Sequence, residues 1–211
     1  MSSIIAQICL NIGWTYKLLM IEIKSWINDS LNQEARSRVA FTSQLTPAEL
    51  LWRSRPETAP VGWTFWRMTR IEDFWVHQFI RNLPELWQQN NWYKRFGFET
   101  RSTGLGHSPS QIDQFPGVTI DDLMDYWDDV RCETRDFLKD LNLELFDNIP
   151  RRKRPEMTIR AVFRHLIAEL NQHLTHISTM TDLIIEAKAN MNSLNRFNKR
   201  SILHQLPIQN Q

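Results

Sequence analysis

Apolar residues recur every three or four positions in four long stretches of this 211-residue chain, and no stretch alternates apolar with polar residues over the length that a half-buried strand needs. That period belongs to amphipathic helices, so the chain is read as all-α. The first stretch runs from about Trp14 to Thr42, with Tyr16, Leu19, Ile23, Trp26, Ile27 and Leu31 on one face. The second spans about Pro60 to Asn82, and its stripe of Val61, Phe65, Met68, Trp75 and Phe79 is interrupted by Glu72. The third follows Thr119 and turns Ile120, Leu123, Trp127, Val130, Phe137 and Leu141 inward. The fourth follows Thr158 and continues to about Lys188 through Val162, Leu166, Leu170, Ile177 and Ile184.

Helix starts are written locally. Thr46-Pro47-Ala48-Glu49 places a cap, an N1 proline and an N3 carboxylate in order, and Thr119 with Asp122 repeats the pattern. Between the second and third stretches lie roughly 36 residues, far beyond the short connections of a tight helical hairpin. They hold a short helix at Pro84-Glu85-Leu86-Trp87 and a loop with Gly97, Gly104, Gly106, Pro109 and Pro116. A crossover of that length lets helices two and three run parallel, which predicts a four-helix bundle of up-down-down-up topology.

Composition narrows the function classes. Forty-two per cent hydrophobic and 23% charged residues suit one globular domain. Twenty-five Lys and Arg against 24 Asp and Glu leave +1, so no net field draws the molecule to nucleic acid or to an anionic membrane. Six glycines, under half the usual ~7%, starve phosphate loops. Gly104-Leu-Gly106-His-Ser-Pro109 lacks the third glycine and the preceding strand of a dinucleotide fingerprint. Cys9 and Cys132 form no C-x-x-C, which removes disulfide frameworks and cysteine-type zinc sites. The apolar run from Ile4 to Met20 is broken by Gln7, Asn11 and Lys17, unlike a signal peptide or a membrane span, and the protein is expected in the cytoplasm. The expected organisation is an N-terminal extension over 1–20, the bundle over 21–188 and a flexible Asn-rich tail over 189–211. Between Gln111 and Asp147 eleven acidic residues face three basic ones, and Arg151-Arg-Lys-Arg154 follows directly. These runs are read as local surface charge, because no aromatic or glycine context for nucleic-acid binding accompanies them.

The fourth helix carries the chemistry. His165, Glu169, His173 and His176 fall within an arc of about 80°, and Glu169 and His173, one turn apart, reach a common point at which imidazole and carboxylate suit zinc, nickel, iron or manganese. The plain alternative is a solvated or hydrogen-bonded polar face.

Three stretches go further: Leu50-Leu-Trp-Arg-Ser-Arg-Pro56, Pro60-Val-Gly-Trp-Thr-Phe-Trp-Arg-Met-Thr-Arg-Ile-Glu-Asp73 and His165-Leu-Ile-Ala-Glu-Leu-Asn-Gln-His173. Together they resemble the DinB-like superfamily of four-helix-bundle metalloproteins, over about residues 24 to 185. Members include mycothiol-dependent maleylpyruvate isomerase and bacterial thiol S-transferases. The resemblance implies a divalent metal, zinc or nickel, held by one His on helix two and by a His or Glu plus a His on helix four, where it activates a low-molecular-weight thiol against an electrophilic small molecule. Glu169 and His173 match the helix-four ligands. The helix-two His is expected five residues before Glu72, and Arg67 stands there. Leu174-Thr175-His176 also replaces the glycine that commonly follows the last ligand.

Guanidinium has no lone pair to offer and brings a fixed charge to the place of a cation. Arg67 is therefore expected to neutralise Glu169 by a two-pronged hydrogen bond. Losing one ligand of three removes several kcal/mol from a metal-binding free energy on the order of 10 kcal/mol. The leading reading is thus a degenerate metal site centred on Arg67, Glu169 and His173, with reduced or lost thiol transfer. The alternatives are a working transferase or hydrolase with a rearranged site in which His176 or His165 joins Glu169 and His173, and a non-catalytic module that pairs as a homodimer. Glu72 is a candidate catalytic carboxylate, against the plainer reading that an arginine, Arg70 or one from helix four, satisfies it. His77 lies too far along helix two to supply the missing ligand. Trp66, beside Arg67, is a candidate pocket wall, and His107 a candidate to lean over the bundle mouth.

Overall fold

The structure, a computed structural model, describes residues 18, 21–32, 35, 36 and 39–204. Apart from Leu18, the N-terminal extension with Tyr16 and Leu19 lies outside the described residues. Every regular element among those described is helical. The helices are α1, whose described residues between 21 and 39 are all helical, α2 (Pro47–Leu50), α3 (Val61–Asp73), α4 (Leu86–Gln89), α5 (Trp92–Arg95), α6 (Pro109–Asp113), α7 (Ile120–Asp140) and α8 (Ile159–His204). Residues of α1, α3, α7 and α8 meet in one core.

The faces follow the spacing. In α1, Ile27, Leu31, Ala35 and Val39 are buried, whereas Trp26 is 61% exposed. Trp26 sits about 100° around the helix from Ile27, which takes it off the face expected to hold it. Helix α3 packs against both α7 and α8 and is buried nearly all round, from Gly62 and Thr64 through Phe65 and Trp66 to Asp73, as a central helix must be. Its threonines Thr64 and Thr69 turn their hydroxyls back to the carbonyls of Pro60 and Phe65, which removes the cost of burying them. The expected capping boxes at Thr46 and Thr119 are present. Helix α8 runs to His204, past Lys188, so the segment expected to be a loose tail begins as helix.

From Phe74 to Ile80 the second long helix changes to π geometry, and the Arg81 N–H bonds back five residues to Val76 O at 3.1 Å. Such segments are rare and cluster at functional sites. The stretch that follows folds back over α3 and is held there by Asp73, which accepts from the backbone N–H groups of Leu86 and Trp87, both at 2.9 Å. Trp87, Phe96, Phe98, Phe115 and Tyr126 close an aromatic cluster around Trp66.

Candidate functional site

Helix α3 presents Arg67 and Arg70 one turn apart, and the two guanidinium groups hold consecutive loop carbonyls. Arg67 Nη1 donates to Thr103 O at 2.5 Å, and Arg70 Nε donates to Ser102 O at 3.0 Å. The loop can lie this close because residue 104 is glycine at φ +73°; a Cβ there would come within 2.7 Å of Arg67 Cδ and 2.9 Å of Trp66 Cζ3. Both the left-handed backbone and the missing side chain are required.

Arg67 thus makes a different bond from the expected one. Its partner is a loop carbonyl, while Glu169 lines the same cavity across from it without pairing to it. Burial pulls the Arg67 pKa down, and the Glu169 carboxylate opposes that fall. On α8, Glu169 Oε2 and His173 Nε2 lie 3.7 Å apart, with side chains 34% and 20% exposed. His173 Nε2 is buried without a hydrogen-bond partner. Burial lowers the His173 pKa, Glu169 raises it, and Arg67 and His176 lower it further, so the ring is neutral near pH 7.

His176 faces elsewhere: its Nε2–H donates to Ala59 O at 2.8 Å. His165 sets its ring edge against Trp75, centroids 5.2 Å apart. Among the described residues no three His, Cys, Asp or Glu side chains come together to hold a metal ion. Glu169 and His173 supply two donors, and the third position of the ligand set that the resemblance implies is Arg67, a guanidinium. These donors do not fit a tightly held divalent cation.

Glu72 is 3% exposed and pairs with Arg131 of α7, Oε2 to Nη2 at 2.8 Å. Neither arginine proposed from the sequence fills that role. Burial pushes the Glu72 pKa up, against the pull of Arg131. Glu72, Arg131, Glu169 and His173 border a void of about 10 Å³, room for about one water. Arg70 serves a second cluster instead, with Asp73 at 3.3 Å, Tyr126 Oη at 3.1 Å and Glu85 at 2.5 Å. His77 Nδ1 lies 3.0 Å from Asp73.

A second cavity, about 350 Å³, is lined by Arg67, Phe74, Trp75, Leu105, His165 and Glu169, among others. Its aromatic wall comes from the π segment. Trp66 is completely buried behind it and packs on Trp63, Phe98 and His107. His107 lies against α3, accepting at Nδ1 from Trp63 Nε1 at 3.4 Å. The sequence carried a trace of this loop in its Gly104-Leu-Gly106 turn, but nothing in it pointed to Phe74 or Thr103.

No helix among the described residues is long and apolar enough to cross a membrane. A search of curated proteins returns no match. A crystal structure described as the conserved protein of locus from Enterococcus faecalis is similar in fold, with a TM-score of 0.70 at 18% identity over 78% of this chain and 98% of that one. The family model of the DinB superfamily matches residues 31–177. With the matched segment running from α1 through the Glu169 and His173 pair, the chain belongs to the DinB superfamily.

Proposed function

We propose that this protein is a DinB-superfamily bundle in which the Arg67 guanidinium stands where relatives hold a divalent metal, so that metal-dependent thiol transfer is reduced or lost and the site works as a small-molecule pocket. One observation carries the reading. Arg67 is pinned to Thr103 O, with Gly104 flat against its stem, and faces the cavity shared with Glu169. A fixed cation opposite Glu169 offsets the charge that a metal would otherwise offset, and it raises the cost of bringing a second cation in. Zinc or nickel would find only Glu169 and His173 as donors.

Metal analysis of protein loaded with zinc or nickel and then dialysed tests this. Wild type should retain far less than one metal per chain, and Arg67→His should retain close to one. Wild type holding about one metal per chain through dialysis would overturn the reading, since three protein ligands are the ordinary minimum for such retention.

A second reading, a homodimeric binding module, is favoured by Leu18 ahead of α1 and by Ile21 and Trp26 in its first turns, which are 59%, 56% and 61% exposed. Large apolar side chains left open at one end of a helix are what a second copy would cover. Sedimentation across a dilution series distinguishes a persistent dimer from a monomer.

A further inference from the structure

Five lining groups of the cavity shared by Arg67 and Glu169 are apolar or aromatic, namely Ile71, Phe74, Trp75, Leu105 and the His165 ring, and three are charged, Arg67, Arg70 and Glu169. Arg70 is already committed to Asp73 and Glu85, which leaves Arg67 and Glu169 as the opposite charges open to a ligand. Its volume of about 350 Å³ lies at the small end of the range for organic ligands. We infer that this cavity takes a small zwitterion with a flat or bulky apolar body, of which an aromatic α-amino acid is the simplest member. The inference rests on reading the site as metal-free.

The two charges have capacity to spare. Arg67 has five N–H donors, and one of them is spent on Thr103 O. Glu169 has as its nearest ionic neighbour His173, at 3.7 Å, too far for a hydrogen bond that would use up its acceptors. A ligand bearing only a carboxylate gains Arg67 but meets the Glu169 charge, and a ligand bearing only an amine gains Glu169 but meets Arg67. A ligand with both completes two charge-assisted pairs and neutralises the cavity, which an apolar wall rewards by strengthening each pair. The body of the ligand then has Phe74 and Trp75, brought to one wall by the π segment, to lie against. Leu105 is 77% exposed at the rim, between Gly104 at φ +73° and Gly106 at φ +72°, where it can cover a bound ring.

Calorimetric titration of the dialysed full chain with L-phenylalanine, phenylpropionate and phenethylamine tests the inference. Phenylalanine should bind about tenfold or more tighter than either truncated compound, the scale of one charge-assisted hydrogen bond. Glu169→Gln should abolish the preference over phenylpropionate and leave the preference over phenethylamine. Arg67→Gln should do the reverse, but because Arg67 also anchors the loop, the partly exposed Glu169 variant alone decides the question. Phenylpropionate or phenethylamine binding as tightly as phenylalanine overturns the inference, as does no heat from phenylalanine up to ~10 mM. A metal-free sample that ignores phenylalanine defeats the ligand class and leaves the arginine-for-metal reading standing; a sample that retains its metal defeats both.

Discussion

Replacing Asp73 by Asn should destabilise the protein by roughly 3–5 kcal/mol, because among the described residues no other side chain satisfies so many buried donors. Asp73 is 0% exposed. Its Oδ1 accepts from Leu86 N, and its Oδ2 accepts from Trp87 N at 2.9 Å, Tyr126 Oη at 2.7 Å and Arg70 Nη1 at 3.3 Å. An amide keeps the shape but turns one of those acceptors into a donor. Whichever way it is oriented, one backbone N–H then faces another N–H, a loss of about 1–3 kcal/mol, and the charged bonds give up about 1.5–3 kcal/mol more. Arg70, 1% exposed, keeps only Glu85 as an ionic partner, which holds the total below the penalty for a wholly unpaired buried charge. Urea unfolding followed by tryptophan fluorescence measures the change as a shift in midpoint at constant slope. Tyr126→Phe, which removes only the hydroxyl between Asp73 and Arg70, should cost about 1–2 kcal/mol in the same assay. Asp73→Asn within about 1 kcal/mol of wild type, or no worse than Tyr126→Phe, would refute the claim that this carboxylate organises the cluster. The pH dependence is a second check. Burial pushes the Asp73 pKa up, but His77, Arg70 and Tyr126 outweigh it and hold the group below its ordinary 3.8. The stabilisation is therefore complete above pH 3.8 and lost as pH falls through the lower folded value, so Asp73→Asn should flatten the stability curve below about pH 4.

Two further substitutions test the contacts around the site. Gly104→Ala should cost about 2–4 kcal/mol, from an unfavourable left-handed backbone and a Cβ pressed on the Arg67 and Trp66 side chains; a change under about 0.5 kcal/mol in urea unfolding would mean the loop is not held against α3. Arg131→Met should cost about 3–5 kcal/mol by leaving Glu72 buried without its cation, and the double variant Glu72→Met/Arg131→Met should recover most of that loss. A double variant as unstable as the single one would show that the pair is not self-contained.

Much of the frame was legible because it is written within single turns. Thr46 and Thr119 find their capping partners three residues on, the apolar stripes of α7 and α8 repeat at the helical period, and Glu169 and His173 are neighbours by their spacing alone. Partners from distant segments were not legible. Arg131 reaches Glu72 from α7, His176 is drawn to Ala59 O, and Trp26 falls outside the buried face, each decided by packing between elements. Position 67 shows both limits together. That an arginine cannot ligate a metal follows from its chemistry, but what it bonds instead depends on a loop that only the fold delivers. The long guanidinium spans from α3 to Thr103 O, beside Arg70 on Ser102 O; an imidazole has a shorter reach and a single N–H when neutral. Arg67→His should therefore do two things at once, restoring a donor for a metal and releasing the loop at Thr103. Faster amide hydrogen exchange at residues 102–106 in that variant without metal would separate the second effect from the first. Unchanged exchange there would mean that Gly104 packing, and not the arginine, holds the loop down.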